Sequence, residues 1–237
     1  MARVGNYQTA ALQRGVAAFP PAVGSRALTE AGVFNKVGIL AGIAVLAGAI
    51  GWHVARPGVV LVAVLCAFVA GLVGTYRPRT AHVAAPLYAA LEGLALGSIS
   101  QAYESYRHGV VPFVVIAVAI AFVLVYAVNR TGLVRVGRSF AVGLSAFGLG
   151  LVALMLLSWV IPALSFGGMG GYILFGPVAL AWGLFALLAD FSRVKQMAIA
   201  GMPAEAEWFG ALTIMLALVL IYLSLLRMLG GGVGNRR

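Results

Sequence analysis

The sequence predicts an all-α integral membrane protein, a bundle of transmembrane helices. Of the 237 residues, 62% are hydrophobic and only 9% are charged, whereas a soluble domain carries about 25% charged residues. The mean hydropathy is +1.04. A chain with so little polar surface cannot cover a globule in water, so its solvent must be mainly lipid. The apolar residues also form runs of roughly 17 to 25 residues, which is the length of a membrane-crossing helix rather than of a barrel strand.

Seven such runs follow one another with short connections, so we expect a single seven-transmembrane helical bundle without a soluble domain. The predicted spans cover residues 37–54, 58–75, 83–103, 110–129, 139–161, 171–191 and 208–229. A basic, flexible cytoplasmic tail is expected over residues 1–36, the seven-helix domain over 37–229 and a glycine-rich tail over 230–237. The first 36 residues contain no apolar core of the signal-peptide type, so the first span is expected to act as an uncleaved insertion signal.

The basic residues predict the orientation in the membrane. The formal net charge is +10, with 16 Lys and Arg residues. Eleven of them fall at span ends that share one face: Arg3, Arg14, Arg26, Lys36, Arg77, Arg79, Arg130, Arg135, Arg138, Arg193 and Lys195. Because cytoplasmic loops are enriched in Lys and Arg, the N-terminus is expected in the cytoplasm of a multi-pass cell-membrane protein. Topology thus explains the positive charge, and the expected partner is the lipid bilayer rather than nucleic acid.

One carboxylate, that of Glu92, lies in the middle of the third span. Counting from Val83 at 1.5 Å per residue places it about 14 Å deep, close to the bilayer centre. A charged group costs roughly 2.5 kcal/mol or more at that depth, so Glu92 must face the bundle interior or a wet cavity. Two interpretations remain open: a protonated carboxyl that hydrogen-bonds a neighbouring helix, or a group on an ion or proton path.

Small residues recur every four positions beside this acid, at Ala89, Gly93 and Gly97. The last two form a GxxxG pattern, which lets the backbones of two membrane helices approach closely. We therefore predict that this stripe packs against another helix.

Asp190, the only aspartate in the chain, ends the sixth span beside Arg193 and Lys195. An acid near a helix C-terminus opposes the helix dipole, so a basic residue is expected to compensate its charge. Arg77 and Arg79, which follow the second span on the same face, are candidates together with Arg193. The pattern fits either a solvated helix end or an electrostatic latch at the mouth of the bundle.

Two further acids, Glu205 and Glu207, open the seventh span. Acidic residues in the first turn suit the helix dipole, so capping is the first interpretation and a share in a cytoplasmic-side cation site is the second. Pro203 fits a helix start, and Trp208 fits the aromatic belt at the membrane surface.

Motifs for enzymatic chemistry are absent from the sequence. It contains no HExxH pair, no GxSxG elbow and no phosphate-binding glycine loop. The single cysteine, Cys66, excludes an internal disulfide and a cysteine-based metal site. We therefore expect neither an enzyme nor a bound cofactor, and any transport would be passive or coupled to an ion gradient.

The chain resembles the Bax inhibitor-1 family, in a bacterial branch, over roughly residues 34–230. Three segments carry the resemblance: APLYAALEGLALGSISQAYE at 85–104, LLADF at 187–191 and IYLSLLRMLG at 221–230. Their order and the seven-span count make the match specific. The resemblance implies a seven-helix fold with a central helix surrounded by the others, and a pH-sensitive calcium leak of the bacterial inner membrane.

In family members of that kind, two aspartates near the cytoplasmic end share a proton and, with an arginine after the second helix, set open and closed states. Asp190 matches the first aspartate, and Arg77 or Arg79 falls where the arginine would be. The second aspartate is absent, because its place holds Ala217 or a neighbour. Glu92 or Glu207 are the candidates to substitute for it.

Calcium prefers carboxylate and carbonyl oxygens, so we predict Glu92 midway and Asp190 at the cytoplasmic mouth as two calcium stations. The alternative is a regulator that conducts nothing and binds a protease or another membrane protein. The basic tail and the stripe of Gly93 and Gly97 would then be its contact surfaces.

Overall fold

This computed structural model describes residues 26–54, 56–131, 143–144, 146–148, 150 and 169–230. Its long helices are α1 (Glu30–His53), α2 (Pro57–Tyr76), α3 (Ala81–Tyr106), α4 (Val110–Thr131), α5 (Met169–Ile199) and α6 (Ala206–Gly230). A 3-10 turn, Pro78–Thr80, connects α2 to α3. All six helices are long and apolar enough to cross a membrane, so the predicted all-α membrane fold is confirmed.

The six helices coincide with six of the predicted spans, while most of the predicted span 139–161 lies outside the described residues. The first helix begins at Glu30, so residues 30–36 belong to a helix and the expected tail boundary at residue 36 is too late. The cause is the cap: the Thr29 hydroxyl accepts a hydrogen bond from the N–H of Gly32 at 3.0 Å. Such a cap satisfies one of the free N–H groups of the first helical turn.

Helix α5 continues to Ile199, beyond the predicted end at residue 191, although Arg193 and Lys195 enter it. Val194 and Met197 are only 2% and 5% exposed, whereas the two basic side chains are exposed. This last part of α5 therefore keeps an apolar face towards the protein and a polar face away from it. The charges mark the end of the lipid-facing stretch but not the end of the helix.

The end of α5 is fixed by a Schellman motif. The N–H of Gly201 donates to the carbonyl of Ala198 at 3.1 Å, and the N–H of Met202 donates to that of Met197 at 3.2 Å. Gly201 has a φ of +66°, a left-handed conformation that glycine adopts without a Cβ penalty. The motif turns the chain towards the start of α6.

The chain separates into two units. The first comprises Met1–Ile99 and Arg193–Met215, and the second comprises Ser100–Ser192 and Leu216–Arg237. In the first unit a short antiparallel bridge joins Ala27 to Pro203, and the N–H of Leu28 donates to the carbonyl of Met202 at 2.7 Å. Within that unit the segment before α1 is thus bound to the segment before α6.

In the second unit, Glu104 caps the start of α4. One carboxylate oxygen accepts the N–H of Gly109 at 2.5 Å, and the other accepts that of Val111 at 3.0 Å. Gly109 has a φ of +85°, which a residue with a side chain rarely adopts. Glu104 therefore satisfies free N–H groups at the turn between α3 and α4.

Helix α6 is the most buried of the described helices. In its most apolar stretch 61% of the residues are buried, against 11% in α4. Its fully buried side chains include Leu212, Ile214, Ile221 and Leu226. A helix that is apolar all round and buried packs against protein, whereas few residues of the apolar stretch of α4 are buried.

Candidate functional site

Glu92 lies near the middle of α3. It follows Ala81, the first residue of this 26-residue helix, by about 17 Å at 1.5 Å per residue. Its side chain is partly buried, and its carboxylate forms no hydrogen bond or ion pair with any other described residue. The buried Tyr88, one turn earlier on the same face, lies within electrostatic reach of it. The structure therefore holds an acid at mid-span without a fixed hydrogen-bonding partner among the described residues.

The glycine stripe beside this acid lies against α1. A Cβ added at Gly93 would overlap the backbone of Ala44, and one added at Gly97 would overlap the carbonyl of Gly48. Only hydrogen fits at these two positions, so the backbones of α1 and α3 are in direct contact there, as small residues allow in membrane helices. Ala89, one turn before Gly93, is fully buried.

A hydrogen bond reinforces the contact between α1 and α3. The hydroxyl of Ser98 donates to the carbonyl of Gly51 at 2.7 Å, and it lies 3.2 Å from the carbonyl of Leu94 in its own helix. Gly51 is itself a close contact, because a Cβ there would overlap the carbonyl of Leu94. These contacts begin one residue after Glu92 and fix the register of α3 against α1.

The carboxylate of Glu207 forms a separate polar cluster at the start of α6. One of its oxygens pairs with the ammonium group of Lys36 in α1. The other accepts the N–H of Thr29 at 3.1 Å and lies 3.4 Å from the hydroxyl of the same residue. The Lys36 ammonium also lies 5.4 Å from the centre of the Trp208 ring, which is within cation–π range. Glu207 is only 4% exposed, so these groups compensate a charge that is largely removed from water.

Sequence reasoning missed the partnership of Glu207 with Lys36. It assigned Glu207 to capping or to a cation site, and it placed Lys36 in the flexible tail because the first helix was expected to begin at residue 37. The sequence did contain a signal. In a seven-span topology the first and last spans begin at the same face of the membrane, which brings their first turns to one level.

Asp190 lies in α5, within the second unit, and is 7% exposed. The next residue, Phe191, packs edge-on against the ring of Phe122 in α4, with 5.3 Å between the ring centres. The amide nitrogen of Asn129 in α4 donates to the hydroxyl of Ser192 at 2.8 Å. Helix α4 thus holds α5 just after Asp190, and this acid belongs to a packed helix contact rather than to a solvated helix end.

Arg77 and Arg79 lie in the first unit, in the connection between α2 and α3, and both side chains are exposed. The hydroxyl of Thr80 donates to the carbonyl of Arg77 at 2.8 Å, and Nδ1 of His82 lies 2.9 Å from the carbonyl of Arg79. These contacts fix the backbone that carries the two arginines. The pairing of either arginine with Asp190 stays a prediction.

Comparison with protein families agrees with the resemblance to the Bax inhibitor-1 family described above. The sequence model of the family described as Bax inhibitor 1 like matches residues 4–231. The curated proteins and the solved structures that were compared gave no match. The family match extends through all six described helices, including the segments that contain Glu92 and Asp190. The chain is therefore a multi-pass membrane protein that belongs to the Bax inhibitor 1 like family.

Proposed function

We propose that this protein is a passive, pH-sensitive cation leak of a bacterial inner membrane, with calcium as the permeant ion and the N-terminus in the cytoplasm. One observation carries the proposal: the half-buried carboxylate of Glu92 at mid-span forms no hydrogen bond or ion pair with another described residue. An acid that serves only to join helices would be bonded to its neighbour. An acid without a fixed partner at that depth is accounted for by water or a cation that reaches it from within the bundle. No covalent step enters this function, so we do not propose an enzyme.

The way in which the carboxylates are spread along the chain fits conduction better than tight binding. Calcium takes six to eight oxygen ligands in a strong site, and no group of three His, Cys, Asp or Glu side chains converges within the described ranges. Glu92 and Asp190 would therefore act as stations at which a cation pauses. Conduction requires such weak sites, because an ion must be able to leave as well as to enter.

Asp190 is proposed as the pH-sensitive group of the leak. Asp190 is buried, with 7% of the residue exposed, and a buried charge is costly without a compensating one. We assign this compensation in the closed state to Arg77 or Arg79. Protonation removes the negative charge and with it the attraction to the arginine, so the closed state loses a stabilisation that the open state never had. Glu207 is not assigned to the pathway, because its carboxylate is paired with Lys36.

The alternative, a regulator that binds other membrane proteins without conducting, would need a free contact surface. The glycine stripe was its candidate surface within the spans, yet Gly93 and Gly97 lie against Ala44 and Gly48 of the same chain. The other candidate, residues 1–25 of the tail, lies outside the described residues. The covered stripe favours the leak over the regulator.

The test is calcium flux into liposomes that contain the purified protein and an internal calcium-sensitive dye, measured between pH 8 and pH 6. We expect a flux that rises as the pH falls, that is reduced at every pH by Glu92→Gln, and that is unchanged by Glu205→Gln. Glu205 is the matched control because its side chain is exposed. Unchanged flux in both Glu92→Gln and Asp190→Asn would overturn the assignment, as would liposomes that stay silent while a membrane protein co-purifies with the chain.

A further inference from the structure

An apolar groove of about 440 Å³ lies between α2 and α3, within the first unit. It is lined by α2 from Leu65 to Val73 and by α3, with the residue before it, from Thr80 to Leu91. Apart from Thr80 and Cys66, every lining side chain is a hydrocarbon. The volume falls in the range of small-molecule binding sites, about 300 to 1,000 Å³.

The groove has the length of one leaflet of a bilayer. At 1.5 Å per residue, its lining extends about 12 Å along α2 and about 17 Å along α3, against a hydrocarbon core about 30 Å thick. One end lies at Thr80, where the span begins, and the other lies at Leu91, next to the mid-span Glu92. An acyl chain that entered at Thr80 would therefore end near the bilayer centre.

The end of the groove at the membrane surface is basic. Arg77 and Arg79 come shortly before Thr80 in the sequence, and their side chains and that of His82 are exposed. The connection that carries them is fixed by the hydrogen bonds of Thr80 and His82 to backbone carbonyls. Basic pockets beside apolar helix faces bind anionic lipid headgroups, and the planar guanidinium group matches the geometry of a phosphate.

We propose that this groove binds one anionic phospholipid, with an acyl chain between α2 and α3 and its phosphate at Arg77 and Arg79. The apolar lining selects a hydrocarbon chain, and the two guanidinium groups select a headgroup with net negative charge. This site goes beyond the proposed leak, because lipid binding requires neither conduction nor a contact of either arginine with Asp190.

Native mass spectrometry of the full chain in detergent tests the headgroup part. The protein is titrated with phosphatidylglycerol or with phosphatidylcholine of the same acyl chains, and the retained lipids are counted. The lipid concentration at which one phosphatidylglycerol molecule is retained should be at least about tenfold lower than the concentration at which one phosphatidylcholine molecule is retained. Arg77→Gln should raise the phosphatidylglycerol concentration needed for retention about fivefold, which is the factor for the loss of one basic residue beside an anionic headgroup. The double variant Arg77→Gln/Arg79→Gln should abolish the preference, whereas Arg56→Gln at the other end of α2 should preserve it.

A second pair of variants tests the groove itself. Cys66 is exposed and lines the groove, so Cys66→Trp fills it and should reduce retention of both lipids. Val64→Trp places the same side chain at an exposed position of α2 outside the lining and should leave retention unchanged. Equal retention of the two lipids by the unaltered protein would overturn the proposal. So would a preference that survives loss of both arginines, or full retention in Cys66→Trp.

Discussion

The ammonium group of Lys36 in the first helix pairs with the carboxylate of Glu207 at the start of the last. The backbone bridge between Ala27 and Pro203 joins the segments that precede the same two helices. The two side chains are 19% and 5% exposed, so neither charge is fully solvated. Loss of one partner would leave the other charge uncompensated in a poorly hydrated place.

Lys36→Met is therefore expected to lower the free energy of unfolding by about 2 kcal/mol, the range for a lost hydrogen bond to a charged group. Glu207→Gln should lower it less, because the amide oxygen can still accept the N–H of Thr29. The measurement is thermal unfolding of the purified protein in detergent, followed by circular dichroism. Lys195→Met is the control, since that side chain is exposed and its loss should leave stability unchanged.

The double variant Lys36→Met/Glu207→Gln separates the ion pair from the bulk of the side chains. If the two groups stabilise each other, the double loss is smaller than the sum of the single losses. Additive losses, or an equal loss in Lys195→Met, would contradict a specific pair.

The contact of Gly97 with Gly48 predicts that replacing glycine by alanine lowers stability at Gly97 but not at glycines without such a contact. Gly97→Ala places a methyl group against the carbonyl of Gly48, so α1 and α3 must separate, at a cost of about 1 to 3 kcal/mol for overpacking. A Cβ at Gly38 or Gly42 of α1 meets nothing within 4 Å. Alanine at those positions should be neutral or stabilising, because glycine costs about 1 kcal/mol in a helix interior. Thermal unfolding of the three alanine variants checks this, and equal melting temperatures would exclude the close approach.

The helices could be predicted from the sequence because hydropathy depends only on the local order of residues. The start of α1 and the end of α5 were predicted at the wrong residues, because the prediction used the charged residues around Lys36 and after Asp190. A charge marks the membrane surface, whereas a helix ends where its caps form. Thr29 and Gly201 are the caps that decide these ends. Neither is visible as an interruption of the apolar runs.

Tertiary contacts could be predicted only in part. The spacing of Gly93 and Gly97 predicted a close helix contact, but nothing in the sequence selects Ala44 and Gly48 as the opposing residues. That choice depends on how neighbouring helices fill the remaining space. The depth of Glu92 follows from the rise of a helix, whereas its lack of a bonded partner among the described residues is a property of the packed bundle.

The hydrogen bond from Ser98 to Gly51 predicts a small loss of stability on removal. Ser98 is 4% exposed, and its hydroxyl lies 2.7 Å from the carbonyl of the other helix. Ser98→Ala should cost about 0.6 kcal/mol, the average for such bonds between membrane helices. Ser105→Ala is the control, since that hydroxyl bonds the carbonyl of Ala102 in its own helix and is exposed. A loss of the same size in the control would show that the bond between the helices contributes nothing specific.

The proposed leak assigns different roles to its two acids, and the pH profile of calcium flux separates them. Asparagine at position 190 has the shape of aspartate without its negative charge, so Asp190→Asn imitates the protonated form at every pH. Its flux should already exceed that of the unaltered protein at pH 8, and it should change little as the pH is lowered. Glu92→Gln removes one cation-binding carboxylate but leaves the proposed pairing of Asp190 with an arginine intact. Its flux should therefore be lower at every pH and still rise as the pH falls.

If Asp190 pairs with an arginine in the closed state, loss of that arginine should change the calcium flux in the same way as loss of the Asp190 charge. Arg77→Gln or Arg79→Gln, whichever residue pairs with Asp190, should give the high, pH-independent flux of Asp190→Asn. The other arginine then serves as the matched control two positions away, because it has the same charge and its side chain is also exposed. Once the acid is neutral there is no attraction left to lose, so adding the arginine substitution to Asp190→Asn should change the flux no further. If both arginine variants and their double variant keep the normal pH response, the closed state is held by another contact of Asp190, and Arg77 and Arg79 have no part in the gate.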